Sequence, residues 1–150
     1  MGELRDLYQE VILDHGRRPR NFGPLPDADR HAEGFNPLCG DRITLHVKTR
    51  DGVIEDVHFE GVGCAISIAS ASLMSETLKG KTPAQAAAMF DGFHALVTGH
   101  VPDQGGPALG KLEVLGGVAE FPMRVKCATL AWHTLQAALR GDTQPVSTET

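Results

Sequence analysis

Arg42-Ile-Thr-Leu-His-Val-Lys-Thr-Arg-Asp-Gly-Val-Ile-Glu-Asp-Val-His-Phe-Glu60 is the stretch that decides the fold. Ile43, Leu45 and Val47 alternate with Arg42, Thr44, His46 and Lys48. Val57 and Phe59 alternate with Asp56 and His58. A period of two is the pattern of a strand with one buried face. Arg50-Asp51-Gly52 lies between the two runs and reads as the turn of a β-hairpin. A two-residue Asp51-Gly52 loop would set Ile43 opposite Glu60 and Leu45 opposite His58, pairing apolar with polar residues. A three-residue loop, with Gly52 left-handed, pairs Ile43 with Phe59 and Leu45 with Val57 and keeps one face apolar. That register is the one expected. Extended outward, it places Cys39 opposite Gly63 and brings Cys64 to the same end of the sheet.

Helices flank the hairpin, so the expected class is α+β. Leu4, Leu7, Tyr8, Val11 and Ile12 recur at helical spacing and predict an opening helix that ends near Gly16. Residues 16–38 are punctuated by Gly and Pro and read as an extended wrap with one short strand near 30–35. Residues 67–79 form a helix rich in Ser and Ala. Thr82-Pro83-Ala84-Gln85 carries the signals of a helix start: a capping Thr, Pro at the first position and Gln where a capping box needs it. Leu109, Leu112 and Leu115 suggest a short helix after a Gly/Pro-rich loop over 99–107. The last helix follows Pro122, with Val125, Ala128, Thr129, Trp132, Leu135, Gln136 and Leu139 on one stripe and a stop at Gly141. Residues 3–141 read as a single domain, and 142–150 as a disordered tail.

Composition limits the functions to consider. The 150 residues carry a net charge of −5 and only 5% aromatics. With no basic run and few stacking platforms, nucleic acid is not an expected partner. No apolar run approaches the roughly 18 residues of a membrane span. The first fifteen residues mix acidic and apolar side chains, unlike a signal peptide. These features predict a cytoplasmic protein. Three cysteines in a reducing compartment are thiols or metal ligands rather than disulfides. Their simplest reading is as three small core residues.

Their settings point elsewhere. Cys39 falls in a Pro37-Leu38-Cys39-Gly40-Asp41 turn, Cys64 follows Gly61-Val62-Gly63, and Cys127 lies in the first turn of the last helix, off its apolar stripe. A helix start favours a thiolate through its unpaired N–H groups and positive end. Asp41 lies two residues from Cys39, and in an extended chain the two side chains share a side. Cys39, Asp41, Cys64 and Cys127 could therefore form a set of three sulfurs and one carboxylate. That set suits tetrahedral Zn²⁺, and equally iron or an iron–sulfur cluster. His46 and His58 read as solvated, and His15 as a cap for the first helix. His94, His100 and His133 have no cysteine near them in sequence. Lys126 and Arg124 could be surface residues, or could steer or dock a partner, and Lys126 could instead pair with Asp41.

The motifs around these residues resemble the SufU branch of the IscU/NifU-type iron–sulfur cluster assembly proteins. The matching stretches are Tyr8-Gln-Glu-Val-Ile-Leu-Asp-His15 with Pro19-Arg20-Asn21, Asn36-Pro-Leu-Cys-Gly-Asp41, Gly61-Val-Gly-Cys-Ala-Ile-Ser67 and Phe121-Pro-Met-Arg-Val-Lys-Cys-Ala-Thr-Leu-Ala-Trp132. The resemblance implies a three-stranded antiparallel sheet with helices packed on it and a metal site at one end of the sheet. It also implies that Cys39, Asp41, Cys64 and Cys127 are the ligands. Lys126 stands where IscU-type scaffolds carry His. Phe121-Pro-Met-Arg-Val replaces the Leu-Pro-Pro-Val-Lys segment that a dedicated chaperone reads. In the SufU branch a zinc-bound protein accepts persulfide sulfur from a SufS-type cysteine desulfurase and supplies downstream iron–sulfur assembly proteins. The resemblance thus implies a zinc-dependent sulfurtransferase in which docking frees Cys39 to attack the persulfide. The same ligands would also suit a scaffold that builds a [2Fe–2S] cluster. A zinc module with only a structural role is a third reading. A zinc hydrolase would need a general base that no Glu or His spacing supplies.

Overall fold

A computed structural model describes residues 2–100, 108–141 and 145–147, with side chains of the first helix from residue 8 onward. The chain runs α1 (Gly2–Arg17), β1 (Arg30–Asn36), β2 (Asp41–Arg50), β3 (Val53–Val62), α2 (Ala65–Leu78), α3 (Pro83–Val97), a 3₁₀ segment (Gly110–Glu120), α4 (Pro122–Arg140) and β4 (Val146–Ser147). The sheet order is β3-β2-β1-β4. The first three strands are antiparallel neighbours, but β4 runs parallel to β1, pairing Gly34 with Val146 and Phe35 with Ser147. The sheet is therefore four-stranded and mixed, not three-stranded and antiparallel. Its fourth strand comes from the stretch expected to be a disordered tail, of which 142–144 and 148–150 lie outside the described residues.

The hairpin register also differs from the expected one. Arg50 pairs with Val53 and Thr49 with Ile54, so the loop is the two-residue Asp51-Gly52. Both residues have positive φ, 53° and 77°, as a type I′ turn requires. A register shift between Lys48 and Thr49 then leaves Glu55 as an extra residue on β3. Beyond this bulge Val47 faces Val57, Leu45 faces Phe59 and Ile43 faces Gly61. The tight turn by itself would mix polar and apolar residues across the pair. The bulge restores one apolar face without lengthening the loop. Its trace is the spacing of Ile54 and Val57, both fully buried although three residues apart.

The inward face of the sheet carries Ala32, Ile43, Leu45, Val47, Ile54, Val57 and Phe59, all buried. Helices α2 and α4 cover it. Trp132 of α4 stacks on Phe90 and Phe93 of α3, and Leu112 and Leu115 of the 3₁₀ segment complete the core. The capping box of α3 forms as its sequence predicts: Gln85 N–H donates to Thr82 Oγ1, and Thr82 N–H donates to Gln85 Oε1. The α4 helix is buried on more than the one predicted stripe. Leu130 and Thr134 lie against β1 at Gly34, where any Cβ would run into the Thr134 hydroxyl. Cys127, off the Ala128–Trp132 stripe, lies on a second buried face. Among the described residues, no helix is long and apolar enough to cross a membrane.

Candidate metal centre

Three chain segments meet at one end of the sheet. Asn36 and Asp41 close the β1–β2 hairpin opposite one another. Pro37, Leu38, Cys39 and Gly40 form the turn between them, all exposed. Cys39 therefore sits at an exposed apex, while Asp41 points inward and is fully buried. Cys64 is the N-cap of α2, where its Sγ accepts from Ser67 N–H at 3.5 Å. Cys127, 2% exposed, is carried on the first turns of α4.

Cys39, Asp41 and Cys127 each offer one ligand atom, and these atoms all lie within 4.8 Å of one another. Cys39 Sγ and Cys127 Sγ are 3.6 Å apart. Two sulfurs about 2.3 Å from one tetrahedral zinc stand about 3.8 Å apart. The sulfur pair therefore has the separation such an ion needs, with the Asp41 carboxylate within 4.8 Å of both sulfurs. Cys64 lies outside this group of three but touches it: its N–H donates to Asp41 Oδ1 at 2.9 Å. Gly63 makes room for that contact, since a Cβ there would stand 2.7 Å from Asp41 Oδ1.

The thiols are electrostatically unequal. The proton offered by Cys127 draws Cys64 down to about 6, with burial opposing and the α2 N-terminal amides assisting. Cys127 is pushed well above the ordinary thiol range by donating to Cys64, by burial and by the Asp41 carboxylate. None of the three cysteines is in a disulfide.

Sequence reasoning missed Asn36. It is fully buried, and its Nδ2 donates to Asp41 Oδ2 at 3.3 Å and to Cys127 Sγ at 3.6 Å. Its signal was its place directly before the Pro37 turn, where a side-chain amide can hold two segments together. Arg124 is exposed and lies over the Phe121 ring at 4.4 Å. Lys126 is half-buried on the turn of α4 that carries Cys127. His15 does not cap α1. It is buried and bonded through Nδ1 to Ser72 Oγ at 2.7 Å.

Residues 7–128 match the family model of the NifU-like N-terminal domain. The chain belongs to this family. Among NifU-like relatives, the Streptococcus pyogenes iron–sulfur cluster assembly scaffold protein IscU is 43% identical over 143 residues, 93% of this chain and 87% of its own. The Bacillus subtilis zinc-dependent sulfurtransferase SufU is 45% identical over 133 residues, 89% of each chain. The same fold occurs in a solved Fervidobacterium islandicum SufU, described as a scaffold candidate for the SUF system. It has a TM-score of 0.82 and 38% identity, and covers 90% of this chain and 98% of that one. This NifU-like chain thus belongs among iron–sulfur cluster assembly proteins, with relatives named for both scaffolding and sulfur transfer.

Proposed function

We propose that the protein is a sulfur relay, a sulfurtransferase in which Cys39 accepts persulfide sulfur from a SufS-type cysteine desulfurase. In this reading Cys39, Asp41, Cys64 and Cys127 hold one zinc ion. The observation that carries it is an exposed thiol at a hairpin apex, 3.6 Å from a buried thiol and beside a buried carboxylate. Zinc bound there would keep its cysteine ligands deprotonated at neutral pH. Asp41 is fixed by Asn36 and by the Cys64 amide, so its carboxylate keeps its place while Cys39 moves. The Cys39 thiolate attacks the terminal sulfur of the partner's persulfide. A Cys39 Sγ–S bond forms, the partner's S–S bond breaks, and the partner cysteine leaves as a thiolate. Sulfur passes with no net oxidation. The exposed Arg124 and half-buried Lys126, which precede Cys127 on α4, are assigned to docking or steering. The sulfur then goes to downstream iron–sulfur assembly proteins, in a cytoplasm that keeps these thiols reduced.

A second reading is that the same residues build a [2Fe–2S] cluster and pass it on. The scaffold name of the S. pyogenes relative and the exposure of both Cys39 and Cys64 favour it. Anaerobic purification, metal analysis and a desulfurase assay separate the two. Relay predicts colourless protein with one tightly held zinc that accelerates the desulfurase. It also predicts that folded Cys39→Ala loses that acceleration. A stable brown chromophore with stoichiometric iron would favour the scaffold. Undiminished acceleration by Cys39→Ala would rule out relay through Cys39 and leave the cysteines a structural role.

A further inference from the structure

Helix α2 buries the serines Ser67, Ser70, Ser72 and Ser75. Three of these hydroxyls are paired. Ser70 Oγ donates to the Ala128 carbonyl oxygen of α4. Ser72 Oγ meets His15 Nδ1 at 2.7 Å and accepts Arg20 N–H at 2.8 Å. Ser75 Oγ donates to the Ser72 carbonyl oxygen at 2.7 Å. Ser67 Oγ is enclosed and, among the described residues, has no hydrogen-bond partner. A buried hydroxyl without a partner costs stability, and such a group in a folded chain calls for a reason.

The place of Ser67 in the helix supplies one. It is the third residue of α2, after the Cys64 N-cap, and its N–H donates to Cys64 Sγ at 3.5 Å. The hydroxyl belongs to the same residue and changes direction by one torsion, χ1. At the same position of α3, the Gln85 side chain reaches back to the N–H of its cap, Thr82. In α2 that role is already filled, because the Cys64 N–H donates to Asp41 Oδ1. Ser70, three residues on and on the same side of the helix, bonds to the residue after Cys127. Ser67 therefore lies on the side of α2 turned toward the cysteine centre. The sulfur of a neutral thiol is a weak acceptor. A thiolate is a charged one, and hydrogen bonds to charged groups are the strong ones.

We propose that Ser67 is a positioning residue for the metal centre, its hydroxyl donating to Cys64 Sγ when that sulfur is a metal-bound thiolate. The proposal rests on the reading above in which Cys64 is a zinc ligand. Ser67 touches neither the ion nor the transferred sulfur and acts through Cys64 alone. Its N–H and O–H together fix the direction of the Cys64 sulfur, as groups behind metal ligands do. Cys39, on its exposed turn, has no such anchor from α2. This division suits a centre in which one cysteine leaves to take sulfur while another stays.

Ser67→Ala in the full chain removes the hydroxyl and keeps the amide, so its effects on stability and on metal binding should have opposite signs. In metal-free, reduced protein the variant should unfold in urea at or above the parent's midpoint, because an unpaired hydroxyl is lost. Its zinc affinity, read by competition with a chelator, should fall about tenfold. With Co²⁺ in place of zinc, the sulfur-to-metal charge-transfer band should move to longer wavelength, since a thiolate that loses a hydrogen bond gives up an electron more readily. Equal zinc affinity with an unmoved band would overturn the proposal and leave the zinc reading standing. A lower urea midpoint in the metal-free variant would make the hydroxyl a structural bond and overturn the proposal as well. A parent chain that binds no zinc through its cysteines would overturn the zinc reading and this proposal with it.

Discussion

Asn36 shows how one amide can organise the proposed centre. It is buried and spans a carboxylate and a thiol that come from chain positions far apart. Groups behind metal ligands set their orientation, and losing one costs about 10–100-fold in affinity. Asn36→Ala should therefore weaken zinc binding by about that factor, measured by competition with a chromophoric chelator. It should also destabilise the metal-free protein by about 1–3 kcal/mol, the cost of leaving a buried partner unsatisfied. An unchanged affinity would confine Asn36 to a folding role. That Cys39, Asp41 and Cys127 meet was legible in sequence because thiols at element ends, off the apolar stripes, are conspicuous. Asn36 was not, since an amide before a proline reads first as a turn former, and its burial depends on α4 arriving from far along the chain.

At the scale of elements, two glycines of the hairpin separate conformational cost from steric cost. Gly52 has φ +77° with open space around it. Gly61 has φ +153°, and a Cβ there would run into the Arg42 carbonyl oxygen of the paired strand. Gly52→Ala should cost about 1 kcal/mol, while Gly61→Ala should cost several times more and disturb the strand that leads into Cys64. Urea unfolding of the two variants measures both, and equal losses would contradict this account of Gly61. Strand existence and phase were readable from alternation. The register was not, because a bulge changes the pairing without changing which residues are apolar. Thr82 and Gln85, by contrast, form the predicted capping box because both its bonds are local. The pairing of β4 with β1 depends on a meeting of distant segments that no local pattern encodes.

The whole molecule is tied together through α2, where His15 of α1 is buried against Ser72 with Glu76 at 3.7 Å. Burial, with the nearby Arg20 charge adding to it, holds the His15 imidazole below its ordinary value, while Glu76 and Asp14 oppose. The folded state then favours neutral His15 more than the unfolded chain does. The stability this contributes is complete above the unfolded value of about 6.5 and is lost as pH falls through the lower folded value. His133 is likewise held down, chiefly by burial. Thermal unfolding of the metal-free, reduced protein should show the melting temperature falling as pH drops below about 6.5. His15→Gln should flatten part of that fall, and an identical profile would remove His15 from the account. At this scale the family's motifs reached further than periodicity, since they join residues that only the complete fold brings together. The most direct test of the central claim is peptide mass mapping after the chain is incubated with a cysteine desulfurase and cysteine. One added sulfur atom on the Cys39 peptide, absent from Cys39→Ser, is the predicted result. Sulfur found only on Cys64 or Cys127, or on no cysteine while the desulfurase turns over, would contradict it.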